Sequence, residues 1–216
     1  MEITVIKQIQ KPIVPVMSNP VLTSTQVTEG IYGERIQIIQ KYQNFSKVVL
    51  ENDHYVGWIE SEALGQPHYT NHKIIALSTS INERPDLKSA SISWLPFGAK
   101  VEVTREMDNW VEIKFDKLKG YISNLHTSKL SKKSNDWVKF AELFTHSPYK
   151  WGGKSLLGID CSGLVQLAVL QAGKKVPRDT IDQVNTVGFA KKEIGGLVRG
   201  DLIFWEGHVG IIQNSN

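Results

Sequence analysis

The sequence predicts an α+β protein in which two small all-β barrels precede a third segment of mixed helices and strands. Three observations support this prediction. Two similar stretches of alternating apolar and polar residues cover 31–59 and 95–122, the apolar spacing becomes helical after a polar linker near Ser134, and two short apolar strands lie near the end of the chain. Alternation is typical of half-buried strands, whereas apolar residues at i, i+3, i+4 and i+7 indicate an amphipathic helix.

The two barrel segments look like variants of one unit. Each begins with an aromatic residue and a glycine, continues with alternating strands, and ends with glycine, an aromatic residue and isoleucine. The matching positions are Tyr32-Gly33 and Phe97-Gly98 at the start, and Gly57-Trp58-Ile59 and Gly120-Tyr121-Ile122 at the end. Short strands separated by turn residues favour small barrels. We therefore expect a first barrel over residues 18–66 and a second over 67–130, with residues 1–17 as an N-terminal arm.

The third segment, residues 136–216, has a different pattern. Apolar residues at helical spacing predict a helix from about Asp136 to Thr145, with N-cap candidates at 134–136. A second helix, apolar almost all round, begins near Cys161 and stops at Gly173. The stretches "RGDLIFW" and "HVGII" then predict two buried strands joined by a short turn.

Composition limits the classes of function. The chain of 216 residues is 41% hydrophobic and 22% charged, as in ordinary globular proteins. Its net charge of +3 comes from dispersed residues, so we expect no nucleic-acid partner. No signal peptide and no stretch long enough to span a bilayer are visible, so we expect no membrane association and a cytoplasmic location. We also expect no metal or other cofactor, because no suitable cluster of ligands is visible.

Cys161 is the only cysteine in the chain, and it lies where a loop becomes a helix. Unpaired N–H groups and the helix dipole stabilise a thiolate at such a position. Of six histidines, His208 is the best candidate for its partner, because it begins a strand of the same segment after a tight glycine turn. By itself His208 could be an ordinary strand histidine. Together with Cys161 it indicates a nucleophile and its base.

The repeated β segments resemble the bacterial SH3-like domain, which often accompanies cell-wall enzymes. The resemblance covers roughly residues 18–128 and implies two SH3-like barrels. A pair of inert spacers is the alternative.

The motif "DCSGLVQ" is preceded by "YKWGG" and followed by "PRDT", "RGDLIFW" and "GHVGII". In order and spacing these motifs resemble the catalytic domain of the NlpC/P60 cysteine peptidases, over roughly residues 136–216. The resemblance implies a papain-like α+β fold, with Cys161 as nucleophile and His208 as base. It also implies cleavage of peptidoglycan peptides, typically between γ-linked D-Glu and the following diamino acid.

The family has a third polar residue, usually histidine, on the strand after the one that matches "HVGII". The sequence ends at Asn216, ahead of that strand. We therefore expect the catalytic domain to be truncated, its third catalytic residue to lie beyond Asn216, and the chain as written to be a poor catalyst.

Several neighbours of Cys161 are candidates for substrate binding. Asp160 would oppose thiolate formation if it faced the nucleophile, so we expect it to point into the substrate groove, where it could hold an ammonium group. Trp151 could form a groove wall or simply pack. Ser162 could contact substrate, although capping of the helix is the better interpretation.

Two residues of "PRDTIDQ" are further candidates. Arg178 and Gln183 could bind substrate carboxylates, although Arg178 could equally pair with Asp179.

Tandem SH3-like domains ahead of this catalytic domain resemble the dipeptidyl-peptidase members of the family, which act on free murein peptides in recycling. In those enzymes the first barrel closes the groove so that only a free N-terminal L-Ala fits. The motifs concerned match "YGE" and "HYVGW" here, which implies that Glu34 and Tyr55 bind the substrate ammonium together with Asp160. A solvated strand-edge carboxylate is the alternative for Glu34. The rival function is a non-catalytic wall-binding module with an inactive peptidase remnant.

Overall fold

The computed structural model describes residues 5–115, 118–190 and 195–214. The chain divides into two compact units, Met1–Lys132 and Lys133–Asn216. Asn216 and the first four residues of the expected N-terminal arm lie outside the described residues. Among the helices described, none is both long and apolar enough to cross a membrane.

Seven antiparallel strands form the first barrel. They are β1 (Val5–Ile9), β2 (Ile13–Met17), β3 (Gln26–Ile31), β4 (Arg35–Tyr42), β5 (Phe45–Leu50), β6 (Val56–Glu60) and β7 (Leu64–Gly65). Their spatial order is β3-β2-β6-β5-β4-β1-β7. The alternating apolar residues meet in a core that includes the fully buried Ile9, Val16, Val48 and Ile59.

The expectation that residues 1–17 form an arm is wrong for the described part of that segment. β1 pairs with β4 and β7, and β2 pairs with β3 and β6. The physical reason is burial, because Ile9 and Val16 have no exposed surface and complete the core of the first barrel. Pro15 is exposed within β2, between the buried Val14 and Val16.

The second barrel repeats the topology of the first. Its strands are β8 (His72–Ile74), β9 (Ser78–Asn82), β10 (Ser91–Pro96), β11 (Lys100–Glu106), β12 (Trp110–Phe115), β13 (Leu118–Ser123) and β14 (Thr127–Lys129). Their order is β10-β9-β13-β12-β11-β8-β14. When the strands of each barrel are numbered from its own first strand, the two sheets have the same spatial strand order. This agreement confirms the internal repeat.

In its described residues, 133–190 and 195–214, the second unit contains three helices and two small hairpins. The helices are α1 (Val138–Glu142), α2 (Cys161–Leu170) and α3 (Thr180–Thr186); the hairpins are β15 (Lys154–Ser155) with β16 (Gly158–Ile159), and β17 (Leu202–Trp205) with β18 (His208–Ile211). Val165 and Val169 of α2 pack with Val176 and Val209 in one apolar cluster. This cluster holds the start of α2 and the start of β18 in the same small core.

Two expectations for this unit need correction. The first helix is limited to Val138–Glu142, because the residues after Glu142 continue as turns. Trp137 occupies the N-cap position without a side-chain cap, while Asp136, one of the expected candidates, accepts backbone hydrogen bonds from Val138 and Lys139. The β17–β18 strands were expected to be buried, yet Val209 is the only buried residue among 202–205 and 208–211, while Ile203 and Trp205 are 40% and 55% exposed. The predicted helix at Cys161 is confirmed, and the chain turns away at Gly173 with a positive φ of 74°.

Candidate active site

Cys161 is the first residue of α2, the position that the motif predicts. Asp160 is the N-cap, and its Oδ1 accepts a hydrogen bond of 2.8 Å from the Gly163 N–H. Cys161 is partly exposed, whereas Ser162 and Gly163 behind it are buried. The helix start therefore presents the thiol to solvent while anchoring the residues on either side. Thr180 Oγ1, at the start of α3, lies 3.7 Å from the Cys161 Sγ.

Cys161 and His208 line the same cleft, which we call the thiol cleft, with a volume of about 400 Å³. Tyr149, Asp160 and Leu164 also line it, and all of these residues belong to the unit Lys133–Asn216. His208 is the first residue of β18, and its ring packs against Trp205 across the hairpin, with 4.8 Å between ring centroids. The structure thus brings together the two residues that the sequence predicts as nucleophile and base. Their catalytic roles remain predictions.

Asp160 is engaged differently from the expectation. Its side chain makes a bidentate ion pair with Arg178, with contacts of 2.9 and 2.6 Å, and Oδ2 accepts a 2.8 Å hydrogen bond from the Gly152 N–H. Together with the Gly163 cap, these bonds use about all the lone pairs that a carboxylate offers. Asp160 also lines the thiol cleft, so its assignment to a substrate ammonium stays a prediction, with Arg178 as a partner inside the protein. Arg178 offsets the charge of Asp160, which reduces the repulsion of a neighbouring thiolate.

Arg178, Ser162 and Gln183 belong to the same buried network rather than to a substrate groove. Arg178 is 2% exposed and donates a 2.9 Å hydrogen bond to Ser162 Oγ. Gln183 has no exposed surface and donates to the Ser162 and Pro177 carbonyls. The expectations that Arg178 and Gln183 bind substrate carboxylates and that Ser162 caps the helix are corrected accordingly. The deep burial of these side chains was not predictable from their polar character.

Trp151 is 67% exposed, which excludes the simple packing alternative. The next residue, Gly152, has a φ of +69° and donates its N–H to Asp160. A positive φ strains most side chains, so glycine lets the loop turn back towards the helix start. The role of Trp151 as a groove wall stays a prediction.

Glu34 and Tyr55 lie in the first barrel. Glu34 is only 3% exposed, accepts a 2.7 Å hydrogen bond from Asn52 Nδ2, and accepts a second from the Ile31 N–H. This burial excludes a solvated strand-edge carboxylate. Tyr55 packs against the core of the first barrel. Their assignment to substrate binding is not decided by these contacts.

Tyr149 is a residue of this cleft that the sequence analysis missed. Burial is the first cause that raises the pKa of its phenol, followed by the negative charges of Cys161 and Asp160, and a hydrogen bond to Cys161 acts in the same direction. A phenol that keeps its proton is a hydrogen-bond donor beside the thiol. Tyr149 belongs to the motif "YKWGG", which could have drawn attention to it. Its distance of twelve residues from Cys161, however, matches no spacing rule that would predict contact between the two side chains.

Arg199 forms a second cluster that was not predicted, at the rim of the thiol cleft. Its guanidinium makes paired contacts with Asp136 and with Glu142, and also donates to the Gln213 carbonyl at 2.8 Å. Hydrogen bonds from Arg199 lower the pKa of both carboxyl groups. This cluster ties the start of the unit to the segment after β18.

Three family models match the chain. The NlpC/P60 family matches residues 146–216, the bacterial dipeptidyl-peptidase SH3 domain matches residues 16–64, and the bacterial SH3 domain matches residues 81–128.

Two curated relatives are similar over most of this chain. A protein of Lysinibacillus sphaericus named dipeptidyl-peptidase 6 is 29% identical, over 90% of this chain and 79% of its own length. A Bacillus subtilis protein named gamma-D-glutamyl-L-lysine dipeptidyl-peptidase is 24% identical, over 82% of this chain and 63% of its own length. The chain thus spans less than two thirds of the second relative.

The fold agrees with that of a solved NlpC/P60 family protein from Bacillus cereus. The TM-score is 0.84 at 16% identity, and the match covers 98% of this chain and 88% of the other. This similarity, at 16% identity, shows the fold. The three matching models show that the chain carries an NlpC/P60 domain behind two bacterial SH3 domains.

Proposed function

We propose that this protein hydrolyses murein peptides that carry a free N-terminal L-Ala, at the bond between γ-D-Glu and the following diamino acid. The observation that carries the proposal is the thiol cleft, where Cys161 at the start of α2 shares one cavity with His208 and Tyr149. The names of the L. sphaericus and B. subtilis relatives support a dipeptidyl-peptidase, and the second name includes L-lysine at the diamino acid position.

In the proposed reaction, the Cys161 thiolate attacks the γ-carbonyl carbon of D-Glu, and His208 holds the proton taken from the thiol. The Cys161 backbone N–H and the Tyr149 hydroxyl are the candidate donors to the oxyanion of the tetrahedral intermediate. Collapse breaks the C–N bond, and His208 transfers its proton to the leaving amine. A water molecule then attacks the thioester while His208 accepts its proton, which releases the acyl product and restores the thiol.

We assign Glu34 and Tyr55 to the ammonium group of the substrate. A cation that leaves water requires anionic or neutral acceptors, and a buried carboxylate with a phenol supplies both. Asp160, which lines the thiol cleft and pairs with Arg178, is the third residue of this assignment. We also propose that the enzyme acts in the cytoplasm in peptidoglycan turnover or recycling, where reducing conditions keep a lone catalytic thiol reduced.

The decisive experiment compares the tripeptide L-Ala-γ-D-Glu-L-Lys with its N-acetylated form. We expect hydrolysis of the free peptide and loss of at least about 100-fold in kcat/KM on acetylation, because the charge that Glu34 would bind is removed. Cys161→Ala should abolish turnover of both peptides while leaving the fold intact. Equal rates on the two peptides would refute the ammonium assignment. Turnover by Cys161→Ala would refute the nucleophile, and binding of wall fragments without any hydrolysis would favour the non-catalytic module.

A further inference from the structure

The "YGE" segment of the first barrel contacts the second barrel directly. The Lys100 N–H, at the start of β11 in the second barrel, donates a 3.0 Å hydrogen bond to the Tyr32 carbonyl. Gly33 has a φ of +79°, and a Cβ at this position would collide with the Lys100 carbonyl oxygen. Only glycine fits between the barrels here, so the backbone just before Glu34 rests directly on the second barrel.

Further contacts hold the same segment. The Tyr32 ring stacks on Phe115 of β12, with 5.3 Å between ring centroids. Gln8 Nε2 donates to the Gly33 carbonyl at 2.8 Å, and Gln8 Oε1 accepts from the His68 N–H at 2.7 Å. Gln8 has no exposed surface. These contacts hold the backbone immediately before the carboxylate-bearing residue, Glu34.

A chain of side-chain hydrogen bonds then reaches Glu34 itself. Lys100 Nζ donates to Asn52 Oδ1 at 3.1 Å, and Asn52 Nδ2 donates to Glu34 Oε1 at 2.7 Å. Because a lysine ammonium is only a donor, the Asn52 oxygen must face Lys100, and its NH₂ group must then face Glu34. The Ile31 N–H donates to the other carboxylate oxygen at 3.3 Å.

From this geometry we propose that the second barrel sets the specificity of the enzyme, with Asn52 and Lys100 as positioning residues for the Glu34 carboxylate. The inference rests on the proposed function, in which Glu34 binds the substrate ammonium. The corresponding position of the second barrel is Ala99, which is fully buried. The repeat therefore has divided roles: the first barrel carries the carboxylate, and the second holds it in place. On this view the second barrel is not an inert spacer.

The test measures how strongly the enzyme prefers a peptide with a free amine over one without it, rather than activity alone. kcat/KM is determined for L-Ala-γ-D-Glu-L-Lys and for the analogue in which propionyl replaces L-Ala, which removes the amine without adding bulk. The quantity of interest is the ratio of the two values, measured at enzyme concentrations that give detectable turnover of the analogue. Loss of folded enzyme lowers both values equally and leaves this ratio unchanged.

We expect Asn52→Leu to lower the ratio by about 10-fold or more, through KM of the amine-bearing peptide, since a hydrogen bond to a charged group is lost. Lys100→Met should lower it by about 3- to 10-fold, and Lys100→Arg should restore most of the loss because it keeps a cationic donor. Lys114→Met is the matched control, because Lys114 lies on β12 of the same barrel and its side chain is 57% exposed. This control should keep the wild-type ratio.

Glu34→Gln distinguishes the role of Glu34 in binding the ammonium from the role of Asn52 and Lys100 in positioning Glu34. A ratio that falls in Glu34→Gln but stays at the wild-type value in Asn52→Leu and Lys100→Met would overturn the role of the second barrel and leave the proposed function standing. A ratio unchanged in Glu34→Gln would overturn both the ammonium assignment and the inference built on it. If Asn52→Leu does not fold, Asn52→Ser and the two Lys100 variants decide the same question.

Discussion

The Asp160–Arg178 pair offers the most direct test of how the thiol is held. Replacing Arg178 by methionine keeps much of the side-chain volume but removes the charge. The Arg178 side chain is 1% exposed and that of Asp160 is 8% exposed, with 2.6 Å between Arg178 Nη2 and Asp160 Oδ2. Arg178→Met would therefore leave an uncompensated carboxylate in the interior, immediately before the nucleophile.

The size of the effect follows from this burial. Breaking a buried ion pair by removing one partner costs about 3 to 5 kcal/mol, because the other charge stays desolvated. Asp160→Asn should cost a similar amount, although asparagine retains an oxygen for capping α2. If the two losses were independent, the double variant would lose about 6 to 10 kcal/mol. Since the double variant leaves no unpaired charge, we expect it to lose at least about 2 kcal/mol less than that sum.

Hydrogen exchange of the α2 amides in the whole chain is the appropriate assay, because it reports on this helix without assuming that both units unfold together. The rate of Cys161 alkylation at pH 6, measured in parallel, reports the thiolate. It should fall in Arg178→Met and recover in the double variant, where the asparagine that replaces Asp160 carries no charge to repel the thiolate.

Additive losses of protection, to within about 0.5 kcal/mol, would refute the coupling of these two residues. Unchanged alkylation in Arg178→Met would refute the idea that Arg178 shields the thiolate from Asp160. Arg199→Met is a suitable control, because its guanidinium pairs with two carboxylates at the surface, where it is 35% exposed. The control should reduce protection of α2 less than Arg178→Met does.

Three further predictions concern single residues. Tyr149→Phe should lower kcat by about 100-fold with little change in KM if the phenol donates to the oxyanion, and equal kcat values would refute that role. His208→Ala should lower kcat by at least about 10³-fold and slow Cys161 alkylation at pH 6, whereas alanine at the exposed His146 should do neither. Burial is the first cause that lowers the pKa of His72, so the unfolded chain binds the proton more tightly and stability falls as pH drops below about 6.5. The protection factors of the β8 amides, which are corrected for the intrinsic exchange rate at each pH, should therefore fall between pH 7 and 5.5, and His72→Asn should reduce this fall.

The sequence alone was sufficient for features that depend on local patterns. Period-2 alternation and the aromatic-glycine repeats predicted two barrels, and the common strand order of β1–β7 and β8–β14 confirms that they are one unit repeated. The start of α2 at Cys161 was also predictable, since capping and apolar periodicity act over a few residues. The N-terminal strands were missed because β2 is stabilised by pairing with β3 and β6, and neither partner is visible in the local sequence.

Tertiary structure decided how the polar residues around these elements are used. Asp160 lies beside the nucleophile in the sequence, which suggested a free anion in the groove. Its actual partner, Arg178, is 18 residues away and reaches it only after the loop following α2 has folded back. Glu34 is held in the same way by Asn52 and, through it, by Lys100 of the next barrel. A charged side chain must find its partner wherever burial removes water, and which residues are buried together is a property of the fold, not of neighbouring positions in the chain.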